Sequence, residues 1–341
     1  MSPPPSEENI PFFPSFLGRA WATGCSMSAT RVSDLELMHH YTAKAYLSIC
    51  PTPNAHEALQ LAVPREAFSS SCLLHQILAF SAFHLAYLRP AQRHAYLLAA
   101  SQHQGQAIMM LRSALAESIT PQNCHSTYAS SVFLIISAFA TFPSFELYNP
   151  AFAPVDALVD IFALVAGMVV ILSCSDKNLR EGPLKGLFGQ KLPPAVMQSH
   201  LQPLIERLSY IRAYLSDDSL AVTDEDKSIA INAATMLIES SISSQQSSST
   251  LGTPAELRAA FMWPIRLGNE FLDLMRGRYP PAMVTIAYYA VLLCYGETEC
   301  WFLQRWAFAL ITSVAEELKD TGYEEIITWC IHTIHEPGEK L

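Results

Sequence analysis

The chain has 341 residues, half of them apolar, and 31 acidic against 21 basic residues give a formal charge of −10. That length and apolar content can bury a large core, as one big domain or two tightly packed halves. Lys and Arg never cluster into a run that could track a phosphate backbone, so direct nucleic-acid binding is not expected.

The N-terminal stretch MSPPPSEENIPFFPSF holds three consecutive prolines, two glutamates and no basic residue before Arg19. That is not the pattern of a secretory signal, and residues 1–33 are expected to form a disordered tail. Helical signals then dominate, while alternating strand patterns bounded by hairpin turns are nearly missing. The fold class read from this is all-α, a large multi-helix domain with an apolar central cavity.

Asp34 can cap a helix to about Ile49, closed by Pro51 and Pro53. Ser69 to Ser71 precede a second helix ending near Leu88, before Pro90. A long helix over about 91–118 follows, rich in Gln and His. Thr120-Pro121 opens another, in which Tyr128, Val132, Ile135, Ile136 and Phe139 have helical apolar spacing. Pro143, Pro150 and Pro154 are expected to break the chain before an apolar helix at 155–173. Its uncharged stretch, Ile161 to Ser175, covers only about 23 Å at ~1.5 Å per residue, short of a ~30 Å bilayer core, so no membrane span is expected.

A Gly/Pro/Lys loop from Asp176 to Pro194, expected to be mobile, leads to helices near 195–215 and 224–242. The Ser/Gln tract SSISSQQSSST is expected to stay unordered, because such side chains bury too little surface. It places a linker at 244–253 between an N-terminal helical half, 34–243, and a C-terminal half, 254–336. The latter is expected as helices from Pro254 to about Arg276, from Pro280 to about Tyr295, and near 298–319 and 322–335.

The eight cysteines, at 25, 50, 72, 124, 174, 294, 300 and 330, form no CxxC pair. A zinc cluster needs thiolates packed in a short segment, so none is expected here, and the scattered cysteines read as buried small hydrophobes in a reducing compartment. Histidines are the obvious catalytic candidates. On one helix His75 and His84 stand nine residues apart, which at ~100° each sends them to opposite faces, so they cannot share a metal. His94 and His103 have the same spacing, and of the adjacent His39 and His40 at most one can face the core. His332 and His335 suit two ligands at i,i+3, with no third in view.

Asp156 and Asp160 lie one turn apart, a spacing that can pair two carboxylates for acid–base work. It equally suits negative charge at the start of a helix opened by Pro154. The acidic residues Asp217, Asp218 and Asp224 to Asp226 read as a solvated loop and cap. No GxSxG, GxGxxG, GxxxxGK or HExxH motif is present, and neither a cofactor nor a metal is expected. The last third is crowded with rings, among them Trp263, Phe271, Tyr279, Tyr288, Tyr289, Trp301, Phe302, Trp306 and Phe308. They can fill a core or line a pocket with polar anchors.

Several blocks stand in a recognisable order: Leu37 to His40; Val63-Pro64, Ala67-Phe68, Leu74-His75, Leu78-Ala79, Ser81-Ala82 and His84-Leu85-Ala86; then Gln106-Ala107, Leu111-Arg112, Ile119-Thr120 and Asn123-Cys124. At the far end come Trp263-Pro264, Phe271, Pro280-Pro281-Ala282, Ala287 to Leu293, and Trp301-Phe302 to Trp306. Over about 34–330 the chain resembles the C-terminal regulatory region of fungal Zn2Cys6 transcription factors of the sterol-uptake-regulator type. It departs from them in lacking the zinc cluster, and in having neither Trp nor Arg between Asp156 and Leu172.

The resemblance implies a ligand-sensing regulatory domain without its own DNA-binding module, controlling a metabolic or secondary-metabolite pathway from the nucleus. It also implies a sterol- or polyketide-like ligand held by His84, Tyr288, Tyr289, Trp301 and Trp306, and a DNA-binding protein as partner. A homodimer is compatible with it. The second reading is a ligand-binding domain repurposed as a cytoplasmic, cofactor-independent isomerase or cyclase, or as an auxiliary protein, in secondary metabolism. Its proton-transfer groups would be His84, Asp156 and Asp160.

Overall fold

The computed structural model describes residues 32–49, 53–145, 152–188, 200–215, 225–246 and 253–335. Among them the chain is all-α, with no strand. The proline-rich N-terminal stretch, the acidic residues Asp217, Asp218 and Asp224, and residues 189–194 of the expected loop lie outside the described residues, while the loop's expected start, 176–181, is helical.

Helix α1, Asp34–Ala43, is capped by Ser33, whose hydroxyl accepts from the Leu35 N–H. It stops at Lys44 and gives way to a 3-10 turn, Ala45–Ser48. Next come the short helices α2, Pro53–Glu57, and α3, Val63–Ala67, joined by a π-helical turn, Ala58–Ala62. Pro64 sits at the start of α3 in this continuous helical run, and the Leu59 carbonyl of the π-turn accepts from the Tyr41 hydroxyl at 2.8 Å.

Ser70 caps α4, Ser71–Leu88, by accepting from the Leu73 N–H. A 3-10 turn opened by Pro90 reverses the chain into α5, Arg93–Ala116, and α4 and α5 form the most extensively packed helix pair. Helix α6, Cys124–Phe145, keeps a helical backbone past Pro143, contrary to the expected break there. Helix α7, Pro154–Glu181, starts at Pro154 as expected but runs some eight residues beyond the expected end, because Ser175 and Leu179 continue its buried stripe.

Helix α8, Leu201–Leu215, buries one stripe, Leu201, Leu204, Leu208, Ile211 and Leu215, and leaves the other face to solvent. Helix α9, Glu225–Gln246, corrects the reading of the Ser/Gln tract. Ser240, Ser241 and Ser244 are helical and buried, and the Ser241 hydroxyl donates to the Leu237 carbonyl at 2.8 Å. Small side chains let the neighbouring helix come close, and a hydroxyl bonded back along its own helix needs no other partner. The Arg258 guanidinium then donates to the carbonyls of Ser244 and Thr253, on either side of residues 247–252, which lie outside the described residues.

Three expected helices of the last third are each divided. The first becomes α10, Ala255–Met262, and α11, Asn269–Arg276, separated at Trp263-Pro264 and Gly268. The stretch at 298–319 is a 3-10 turn, Trp301–Leu303, followed by α13, Trp306–Glu317; the last is a 3-10 turn, Glu325–Ile327, before α14, Thr328–His335.

Between them α12, Pro280–Gly296, is apolar all round, and nearly all of it is buried. Such a helix belongs at the centre of a fold, and α12 packs against α8, α9, α10, α13 and α14. Residues from both expected halves share one contiguous apolar core. Two helices, α4 and α7, are long and apolar enough to cross a membrane by length and composition, and most of the apolar window of each is buried in this core.

Candidate functional site

The α1–α4 contact brings His40 and His84 together inside the fold. Their ring nitrogens, His40 Nε2 and His84 Nδ1, lie 3.3 Å apart, and both residues are buried. Burial disfavours the imidazolium form, and each histidine is pushed from 6.5 down to about 4. Arg89 adds to the lowering at His40, and His40 adds to the lowering at His84.

His84 also lies flat on Trp301, with ring centroids 5.0 Å apart and planes 17° from parallel. Tyr87 stacks on the same indole at 5.6 Å, and the Trp301 Nε1–H donates to the Ser48 hydroxyl at 3.1 Å. A 3-10 turn from the last third of the chain is thus fastened to α4 and to the turn after α1. Gln304 extends the joint by donating from Nε2 to the Tyr87 hydroxyl at 3.0 Å.

A second histidine pair sits between α4 and α5. His75 Nδ1 and His103 Nδ1 are 2.9 Å apart, with centroids at 5.2 Å, the separation an in-line contact requires once both ring radii are added. His103 Nε2 reaches the exposed Asp34 carboxylate at 3.5 Å. If His103 Nε2–H donates to Asp34, its Nδ1 accepts from His75 Nδ1–H, a consistent neutral network. Burial holds His103 below the usual imidazole range against the pull of Asp34.

The spacing argument that His75 and His84 cannot meet holds: each pairs with a different helix. Of the adjacent pair, His40 is buried and His39 exposed. The pairings themselves escaped sequence reasoning. A signal existed, since His75 and His103 each stand 14 residues from Arg89, where the hairpin turns.

The other three aromatic residues expected to hold a ligand, Tyr288, Tyr289 and Trp306, have their polar atoms bonded to backbone. Tyr289 donates to the Ala260 carbonyl at 3.1 Å and packs on Trp263. Tyr288 donates to the Ile326 carbonyl at 3.0 Å and stacks on Trp329. Trp306 donates to the Phe139 carbonyl at 2.8 Å. Burial pushes both tyrosine hydroxyls well above their ordinary pKa.

Asp156 and Asp160 stand in the first two turns of α7, apart from the histidines. Asp156 is exposed and accepts from Arg278 Nη2 at 2.7 Å, while Arg278 Nε reaches Glu317 at 3.3 Å. Burial raises the Asp160 carboxyl to about 6, opposed by Arg276 and helped by Asp156. The structure therefore gives the two carboxylates different neighbours, and neither is a neighbour of His84. Among the described residues no group of three or more His, Cys, Asp or Glu side chains could hold a metal ion.

A pocket between α5, α6 and α7, lined by Leu111, Ser131, Leu134, Leu164, Met168 and Ile171, has a volume of about 20 Å³. That is room for one water, not for a sterol-sized molecule.

Residues 36–145, which contain both histidine pairs, match the family model described as "Fungal specific transcription factor domain". The chain is also similar to Sterol uptake control protein 2 of Saccharomyces cerevisiae, with 32% identity over 108 residues. That alignment takes in 31% of this chain and 11% of the relative, so the chain spans about a tenth of the relative's length. Residues 36–145 are thus similar to a fungal specific transcription factor domain, in keeping with the resemblance read from the sequence.

Proposed function

We propose that the chain is the regulatory part of a transcriptional control system in the nucleus, responding to an apolar ligand and acting on its genes through a DNA-binding module or partner. The match over 36–145 carries the regulatory reading, and the scarcity of basic residues supports a role exercised through protein contacts rather than by this chain on DNA. We take 34–243 and 254–336 as the two halves of the regulatory domain.

The ligand reading centres on the His84–Trp301 stack, because it joins the family-matched segment to the last third of the chain. An apolar ligand inserting a ring there would displace Trp301 and shift one half against the other.

The test is a gene deletion followed by transcript levels of neighbouring genes and metabolite profiles, paired with sterol titrations of the purified chain read by tryptophan fluorescence. Falling transcripts and saturable quenching lost in Trp301→Phe support both parts of the reading. Unchanged transcripts sink the regulatory role. Quenching that survives in the folded variant sinks the placement of the ligand.

A further inference from the structure

On its solvent side α8 borders an open groove of about 440 Å³ with α14, lined by Pro203, Glu206, Arg207, Tyr210 and Trp329. The apolar stripe of α8 is turned inward against α9 and α12, so the four groove residues on this helix form a second, outward row, and all four are exposed. The groove wall behind them is firm, since Trp329 stacks on the buried Tyr288 with centroids 5.9 Å apart and planes 20° from parallel.

Two opposite charges stand side by side in this row, and neither is neutralised among the described residues. Glu206 accepts from the neutral Gln202 side-chain amide at 2.8 Å. Arg207 lies over the Trp329 ring at 5.9 Å and makes no ion pair among the described residues. A guanidinium stacked on an indole is held in place with the N–H groups at its edge still open to a carboxylate.

Such a row is complementary to itself. When a second copy of α8 lies antiparallel across the first, with a two-fold axis between positions 206 and 207, Glu206 faces the partner's Arg207. Three residues further out on either side, Pro203 faces the partner's Tyr210, so that a pyrrolidine ring covers a phenol ring that is otherwise 66% exposed. Each contact occurs twice, as two-fold symmetry requires. We infer that the chain self-associates through this face, antiparallel at α8, with the two Trp329 rings flanking a reciprocal pair of Glu206–Arg207 contacts. Copies of a chain with a formal charge of −10 repel one another in general, and this face offsets that by bringing a cation to each carboxylate. Helix α8 has 15 residues and is about 22 Å long. With α14 beside it the face covers roughly 400 Å², below the ~800 Å² per partner of a standard interface, so the dimer is weak, with a Kd on the order of 10–100 μM.

Sedimentation equilibrium of the full chain across that concentration range is the test, and a monomer–dimer equilibrium is expected. Glu206→Arg or Arg207→Glu alone should raise Kd about tenfold or more, because symmetry removes two ion pairs with each change. The double change Glu206→Arg, Arg207→Glu should restore the dimer. An equimolar mixture of the two single variants should restore it as well, since unlike charges then face each other across the axis, and only folded partners can do this. A chain that stays monomeric throughout, a dimer indifferent to the single changes, or a dimer recovered by neither the double change nor the mixture would overturn the proposal.

Discussion

His84 lies flat on Trp301 across a gap of 216 positions in the chain, ring centroids 5.0 Å apart, while the indole N–H of Trp301 donates to Ser48. Trp301 is 7% exposed, so its ring fills interior space. Truncating it to Ala should cost about 3–5 kcal/mol, the usual loss for a large buried ring. Trp301→Phe keeps an aromatic face for His84 and gives up the bond to Ser48, a loss of about 1 kcal/mol beyond the volume change. Urea denaturation of the two variants checks the order; equal costs would mean that the stack contributes nothing of its own.

The His40–His84 pair makes stability fall in acid. Both histidines titrate at about 4 in the fold against 6.5 when free. Above pH 6.5 folded and unfolded states are both neutral and the pair costs nothing. Between 6.5 and 4 the unfolded chain binds protons that the fold refuses, and stability drops as pH falls. The loss is on the order of 2 kcal/mol per histidine once solvent screening at the edge of the pair is allowed for. His40→Gln removes one titrating ring and keeps a polar partner for His84 Nδ1. Its unfolding free energy, measured from pH 7 to pH 4, should fall less steeply than that of the natural chain.

Asp160 has the opposite sign. Burial raises its carboxyl to about 6, so the fold prefers it protonated. Its penalty is absent below about pH 3.8 and grows as pH rises through 6. Asp160→Asn should therefore stabilise the protein at pH 8 by about 1 kcal/mol, discounted for its partial exposure, and have little effect near pH 4. Thermal melts at the two pH values decide it. Destabilisation at pH 8 would mean that attraction to Arg276 outweighs desolvation.

Gly182 ends α7 against a buried ring. A Cβ there would stand 2.2 Å from His125 Cε1 and 2.7 Å from the Asn178 carbonyl oxygen. His125 is buried, and a carbonyl within the helix cannot yield. Gly182→Ala should cost about 2 kcal/mol, in the range of other overpacked sites. Ala at Gly105, where a Cβ meets nothing within 4 Å, should be neutral or stabilising. Chemical denaturation of the two variants gives the contrast.

The sequence alone determined that the fold is helical, where its main helices lie, and which histidines cannot meet. These follow from properties local to one helix: a cap within the run Ser69 to Ser71, prolines at helix starts, and an apolar period whose phase separates His75 from His84; the cap of the first helix is Ser33 and not Asp34 as expected. It also carried the family resemblance, since Val63 to Ala86 is one continuous block. The order of Ser240 to Gln246 was not legible, because a serine helix is stabilised by the surface it packs on and not by its own composition. Nor was the fate of the aromatic residues. Tyr288, Tyr289 and Trp306 read equally as pocket or core until Ile326, Ala260 and Phe139 offered their carbonyls. The pairing of His40 with His84, and of His84 with Trp301, needed tertiary structure for the same reason. Helical phase says which way a side chain points, and only the packing of a second helix says what it meets.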